Sequence, residues 1–409
     1  MKFARVGAAL AAAAIVVSAC GGSAGSGKVI KIGITLPLSG SSLASAGPAR
    51  DGALLAIKQF KLDGYTVETV VLDHAVNGVH DPQQGAKDMT TLVGTEGVVG
   101  VVGPFNSSVA KVQIPISNEA GLLQCSPANT NPDLTKGDPG KELRAKNPDK
   151  INYIRVATTD DIQGPAVAQF GFKKGLKTVA IIDDTETYGK GLADAFSAEW
   201  EKLGGTVVGR EGAPKGTSDY TAILTKFAAS NPDAVFYGGV TATGGGLVRK
   251  QMAQAGLDPA KVAYLGGDGI QDGLGSTAGS FINIAGADAA NSYSSVAAIH
   301  DIPDAAKFAE AYKAEYKVDP GAYSASGYAC AQIILASIAT AAKAGDVTKE
   351  AVRAAATNTS SSFDTVLGKV SFDAVGDTTQ KIISLYSVDM TAGSDKSGDW
   401  VFAEQVDYK

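Results

Sequence analysis

The chain has 409 residues, of which 44% are hydrophobic, 7% aromatic and 19% charged, with a formal net charge of -6. That length and composition suit an α/β globular protein large enough for two domains with sizeable cores. No Lys/Arg cluster stands out, which argues against nucleic acid or anionic lipid as a partner.

The chain opens with a short basic start, Met1-Lys2-Phe3-Ala4-Arg5, followed by an Ala-rich apolar run from Val6 to Val17. Val17-Ser18-Ala19-Cys20 and a Gly/Ser tract through Gly27 complete the pattern of a secretory signal peptide over residues 1–19. A cysteine directly after small residues resembles the lipobox of bacterial lipoproteins, which implies acylation of Cys20. The tract over residues 20–27 would then tether a domain to the outer face of a membrane. Beyond this leader no apolar run is read as long enough to span a bilayer.

Strand and helix patterns then alternate. Val29–Leu36 reads as a strand, Pro48–Phe60 as a helix, Val67–Leu72 as a strand and Pro82–Val93 as a helix with proline at its start. Val98–Val102 is a short buried strand, and Ser107–Asn118 a helix that Pro115 should kink or shorten. Leu122–Cys125 is the next strand of this parallel βαβ series. The stretch Asn131–Lys150 breaks the rhythm with prolines, glycines and charges, and reads as a surface excursion or a hinge-adjacent loop. A second series follows: strands at Ile151–Val156, Thr178–Ile182, Thr206–Arg210, Asp233–Tyr237 and Val262–Leu265, with helices at Gln163–Phe172, Gly189–Leu203, Tyr220–Ala229 and Gly245–Ala255. Two such series predict two Rossmann-like lobes. Helical patterns at Ala305–Tyr316 and Tyr323–Ala344, and late strands at Lys381–Ser387 and Trp400–Ala403, must complete them.

Catalytic signatures are scarce. There is no nucleotide P-loop and no Gly-x-Ser-x-Gly elbow, and Gly244-Gly245-Gly246 lacks dinucleotide spacing. His74 and His80 read as solvated loop histidines rather than metal ligands. Asp160-Asp161 and Asp183-Asp184 lie at strand ends and read as capping or hinge residues. Export permits a disulfide between Cys125 and Cys330, but their distance in sequence does not argue for one, and two buried free thiols are the reading here. No enzyme activity, cofactor or metal is expected. The binding-type features are two polar turns at strand ends, Pro104-Phe105-Asn106-Ser107-Ser108 and Ser126-Pro127-Ala128-Asn129-Thr130. Helix-start amides and hydroxyls of this kind suit a carboxylate.

The segment Ile32-Gly33-Ile34-Thr35-Leu36-Pro37-Leu38-Ser39-Gly40 resembles the opening of the Leu/Ile/Val-binding protein family. So do the Gly103-Pro104 turn, the Ser126–Thr130 turn, the run Asp183 to Gly191, Phe236-Tyr237-Gly238-Gly239 and Leu265-Gly266-Gly267-Asp268-Gly269. The resemblance runs from about Lys28 to the C-terminus. It implies a type I periplasmic binding protein: two lobes joined by a three-crossing hinge, with residues 28–158 plus 296–375 in lobe 1 and 159–295 plus 376–409 in lobe 2. It further implies a monomeric, extracytoplasmic solute-binding subunit of an ABC importer, taking a branched-chain or other small amino acid or a related compound. A sensor role, or import of urea, amides or aromatic acids, is the alternative.

Carried over residue by residue, the family pattern implies that the ligand carboxylate meets the Asn106-Ser107 turn and amides near Ala128 and Thr130. The ammonium would meet the Ala128 carbonyl, the Thr130 hydroxyl and the Asp268 carboxylate. Tyr188 would contact the ligand from lobe 2, and Tyr323 would line its side-chain pocket. The chain departs from the family at Asn106 for serine, Asp268 for glutamate, Val240 for tyrosine and Ala46 for an aromatic residue near the cleft mouth. The last two predict a roomier pocket. The disulfide of some members lacks its cysteines here.

Overall fold

The structure, a computed structural model, describes residues 28–408. The leader, Cys20 and the tether therefore lie outside the described residues.

The first half lays down strand β1 (Lys28–Leu36), helix α1 (Leu43–Gln59), β2 (Tyr65–Asp73), a two-residue-stranded hairpin of β3 (Ala75–Val76) and β4 (Val79–His80), α2 (Pro82–Gly94), β5 (Val98–Val102), α3 (Ser107–Ala120), β6 (Leu123–Ser126), the short α4 (Gly137–Glu142) and β7 (Tyr153–Arg155). Strands β2-β1-β5-β6-β7 form one all-parallel sheet. Every residue of β5, Val-Val-Gly-Val-Val, is buried, as a central parallel strand covered on both faces requires. Ile32, Ile34 and Leu36 on β1 are also fully buried, each worth about 1.5–3 kcal/mol. Pro115 does not shorten α3, which continues to Ala120. The carbonyl that the proline leaves without a donor belongs to Lys111, on the exposed face where water can satisfy it.

The second half adds α5 (Asp160–Lys173), β8 (Thr178–Asp183), α6 (Thr187–Lys202), β9 (Thr206–Gly212), α7 (Thr221–Ala228), β10 (Ala234–Gly238), α8 (Gly245–Gln251), β11 (Ala263–Gly266), α9 (Phe281–Ala285) and β12 (Ser292–Val296). The chain then returns to the first lobe with α10 (Ala305–Tyr316), α11 (Ser324–Ala344), α12 (Lys349–Ala356) and the small hairpin β13 (Phe363–Thr365) and β14 (Gly368–Val370). It ends in the second with β15 (Ile382–Asp389) and β16 (Asp399–Asp407). The second sheet has the order β16-β15-β12-β11-β10-β8-β9. It is parallel from β12 to β9, while β15 and β16 join antiparallel. The architecture is the expected pair of α/β lobes.

Helix α11 does have the length and composition of a membrane span, against the sequence expectation, but 56% of its apolar window is buried inside the protein. It is the core helix of the first lobe, packed on α1 through two glycines. A Cβ at Gly52 would sit 2.0 Å from the Ser324 carbonyl oxygen, and one at Gly327 2.0 Å from that of Ala49. Only glycine permits this approach, and it fixes where Tyr323 enters the cleft.

Three chain crossings lie side by side between the lobes. The Thr158 N–H donates to the Ala297 carbonyl at 2.9 Å, and its hydroxyl reaches the carbonyls of Gln380 and Ile382, both at 3.1 Å. The buried Arg155 pairs with Asp377 across two of them at 2.7 Å. Arg155 also donates to the Asn131 carbonyl at 2.7 Å and the Thr135 hydroxyl at 2.6 Å, so the 131–150 excursion packs against the hinge.

Two further sequence readings are corrected. Cys125 and Cys330 form a disulfide with their Cα atoms 5.5 Å apart, because β6 and the first turns of α11 pack together although 205 residues separate them. His74 and His80 are buried, not solvated. The β3–β4 hairpin folds back at Asn77-Gly78, both at positive φ, and carries them inward. His74 Nδ1 lies 3.1 Å from the Thr35 hydroxyl, and burial pushes its pKa down to about 3.

Candidate functional site

The cleft is built from loops at the carboxyl ends of the parallel strands, where open α/β sheets bind ligands. From the first lobe, β5 leads through Gly103-Pro104-Phe105 to Asn106, the cap residue of α3, with Ser107 as its first helical residue. The first-turn N–H groups of such a helix have no intrahelical acceptor. Asn106 Oδ1, Ser107 Oγ and Ser108 Oγ are buried without any hydrogen-bond partner. Strand β6 leads into Ser126–Thr130, a turn held by the Ser126 hydroxyl, which accepts from the Asn129 N–H at 2.9 Å and donates to the Pro104 carbonyl at 2.7 Å. The two turns are thereby locked to each other.

From the second lobe, β11 ends at Gly266 and the chain turns at Asp268. The Tyr188 hydroxyl donates to Asp268 Oδ1 at 2.7 Å, and the Tyr323 hydroxyl lies 3.0 Å from Oδ2 and 2.8 Å from the Asp268 carbonyl. Tyr188 belongs to α6 and Tyr323 precedes α11, so Asp268 is held from both lobes. Tyr323 sits at φ +61°, an unfavourable conformation for a bulky residue, and its ring meets Phe105 edge-on at 4.8 Å. Behind Asp268, Gln163 Oε1 accepts its backbone N–H at 2.9 Å while Gln163 Nε2 donates to Asp160 Oδ1 at 2.9 Å. Burial raises the pKa of Asp268, against the two tyrosine hydroxyls that hold it down. Burial first, and the Asp268 charge second, raise that of Asp160 well above the ordinary range.

One cavity of about 20 Å³ is lined by Phe105, Asn106, Ser107, Ala128, Tyr188, Val240, Asp268, Gly269 and Tyr323. Six of the seven residues singled out from sequence thus meet on it. The seventh, Thr130, stands behind: it is fully buried, its carbonyl accepts the Asp160 N–H at 2.8 Å, and its hydroxyl has no partner. Ala46 does not reach the cleft, being buried in the first-lobe core. The bulk missing at positions 46 and 240 leaves no wide pocket, because Phe105, Tyr188 and Tyr323 crowd the space.

The lobes also touch at the cleft rim. His80 Nε2 lies 3.6 Å from Glu186 Oε2, Lys215 Nζ lies 3.4 Å from Glu186 Oε1, and Lys215 donates to the His80 carbonyl at 3.3 Å. The His80 contact, ahead of the opposing effect of burial, holds Glu186 down at about 2.

The model of a family described as periplasmic binding protein matches residues 29–395. A Leu/Ile/Val-binding protein of Rhizobium johnstonii is 33% identical over 367 residues, 87% of this chain and 91% of the relative. The chain belongs to the Leu/Ile/Val-binding protein family. A homologue from Brucella suis is 32% identical over 382 residues, covering 91% of this chain and 92% of its own. Among solved structures, a leucine-binding protein of Thermotoga maritima superposes with a TM-score of 0.77 at 26% identity, over 92% of this chain and 98% of that one. Members of this family are periplasmic, small-molecule-binding proteins rather than enzymes, and this chain shares their type I two-lobed fold.

The sequence reading passed over Gln163, Thr241 and Asp272, which stand at or behind the cleft. Asp272 follows Asp268 by four residues, but nothing in that spacing marks it apart from an ordinary polar turn residue.

Proposed function

We propose that this chain is the extracytoplasmic solute-binding subunit of an ABC importer, anchored through Cys20, and that it captures a small amino acid between its lobes. The observation that carries the reading is the convergence of the unpartnered Ser107 hydroxyl and the start of α3 with the carboxylate of Asp268 on one cavity. Neutral donors with a helix start behind them suit a carboxylate, and Asp268 suits an ammonium. Ala128 would hold the ligand from the β6 turn, with Thr130 supporting that turn from behind and Tyr188 and Tyr323 closing over the ligand. The relatives named for leucine, isoleucine and valine support the amino-acid class.

Among the described residues lining the cleft cavities the charged side chains are Asp268 and Asp272, with no Lys, Arg or His. An aromatic acid without a cationic group would meet carboxylates with no counter-ion, so the amino-acid reading is the better one. The cavity holds no more than a water-sized group as the lobes stand, so entry requires them to part about the three crossings. Ligand shifts that balance only through contacts made better in the closed form.

The test is thermal stabilisation of the purified chain against amino acids, amides, urea and aromatic acids. An amino acid at 100 times its Kd should add about 2.7 kcal/mol. Asp268→Ala should weaken its binding thirtyfold or more, since a truncated buried charge partner costs about 2–5 kcal/mol. Stabilisation by benzoate or urea alone would reject the amino-acid assignment.

A further inference from the structure

Resting on the amino-acid reading, we infer that the captured ligand carries a hydrogen-bond donor at the far end of its side chain, received by a polar pocket of Asn106, Thr241 and Asp272. The cleft continues past Tyr323 and Phe105 into a second small cavity, about 10 Å³, whose polar lining is Ser41, Ser42, Ser45, Asn106, Thr241 and Asp272. Asn106 and Tyr323 also line the cavity against Asp268 and Ser107, so the two spaces adjoin. A ligand whose ammonium lies on Asp268 therefore points its side chain at the second space.

That end of the cleft is built to accept. Asn106, Thr241 and Asp272 are 8%, 4% and 3% exposed. Asn106 Oδ1 and Thr241 Oγ1 are buried with no well-aligned hydrogen bond, their neighbours being His74 and Asp272. Asp272 is engaged at one oxygen, by the Phe281 N–H at 2.8 Å, and no cation lines the cavity among the described residues. Burial pushes the Asp272 carboxyl up to about 7, as expected for an acid without a counter-charge.

An aliphatic side chain placed here would cover three polar groups and satisfy none, and each buried group left unpaired costs about 1–3 kcal/mol. A hydroxyl, amide or ammonium would satisfy them. Sites that pair with a ligand polar group discriminate strongly against the isostere that lacks it. Leucine and valine are thus the poorer ligands for this chain, although its named relatives are described as binding leucine, isoleucine and valine.

The experiment is calorimetric titration of the full-length chain with near-isosteric pairs: threonine and valine, asparagine and leucine, glutamine and methionine, lysine and norleucine. At least one donor-bearing member should bind about tenfold or more tighter than its aliphatic partner. Thr241→Val removes a hydroxyl whose protein neighbour is Asp272, and Asp272→Asn keeps an acceptor for Phe281. Each should cut the preference threefold or more, Asp272→Asn by weakening the donor-bearing member and Thr241→Val also by tightening the aliphatic one, which no longer covers an unpaired hydroxyl. Their unliganded melting temperatures, close to the parent's, verify the fold. Aliphatic members binding as well as or better than the polar ones would overturn the inference and leave amino-acid capture standing. So would a preference that survives both variants. Binding of none of the eight would overturn both readings.

Discussion

On the first-lobe wall of the cleft stand Asn106 and Ser107, with Thr130 behind them: neutral side chains whose buried polar atoms have no partner. On the second-lobe wall stand Asp268 and Asp272, acids whose pKa burial raises, beside the tyrosine that holds Asp268. The first wall offers dipoles fixed by β5, β6 and α3. The second offers charge that becomes favourable only when a cation or donor arrives. On the proposed reading, one wall is a preset cradle and the other completes the site on closure.

The contrast can be broken from either side. The largest effect expected is on the cradle's scaffold. The disulfide ties β6, which carries the Ser126–Thr130 turn, to α11, which begins at Tyr323. Replacing both Cys125 and Cys330 by serine should cost about 2–4 kcal/mol of stability in urea titrations. Hydrogen exchange should place that loss in the first lobe and leave β8, β10 and β11 protected. Equal loosening of both lobes would mean that the cradle is not separately stabilised.

A smaller effect separates the walls by titration. Asp272 and Asp184 are each pushed up to about 7 by burial, and both belong to the second lobe. Their folded-state pKa values lie above the unfolded ones, so the native state keeps protons that the unfolded chain has released. Stability is therefore greatest below that range and falls as pH rises through about 7. His74, pushed down to about 3, works in the opposite direction, but only below the pH where an unfolded histidine protonates. Between pH 6.5 and 8 the carboxyls dominate, and unliganded stability should drop by about 1–2 kcal/mol. Asp184→Asn and Asp272→Asn should each flatten the slope, and an unchanged slope would place the titration elsewhere.

The smallest effect tests the cradle itself. Ser107 Oγ bonds to nothing in the protein, so Ser107→Ala should leave the melting temperature alone and weaken ligand about fivefold, the value of one neutral hydrogen bond. A loss as large as that of Asp268→Ala would erase the distinction between the walls.

Much of this was legible in the chain. Alternating strand and helix patterns gave most strands of both sheets to within a few residues, but β12 is not among them, and Ile151–Val156, predicted to open the second series, is β7 at the edge of the first sheet. The turn residues after β5, β6 and β11 do meet at one cleft. What escaped has physical reasons. The direction of β15 and β16 is set by pairing, not periodicity. Cys125 and Cys330 are brought together only by the return of α11 to the first lobe. The Asn77-Gly78 hairpin was readable as a turn, but not the burial of His74 and His80 that it causes. Asp272 resembles any polar turn residue until Thr241 and Asn106 are seen beside it.

The pairing of Cys125 with Cys330 has a consequence for how the chain comes into being. Strands β8 to β12 of the second lobe lie between the two cysteines, 205 residues apart, and β15 and β16 follow them. A chain that emerges amino end first presents Cys125 long before its mate exists. The thiol of Cys125 must stay unspent while β8 to β12, five of the seven strands of the neighbouring sheet, pass.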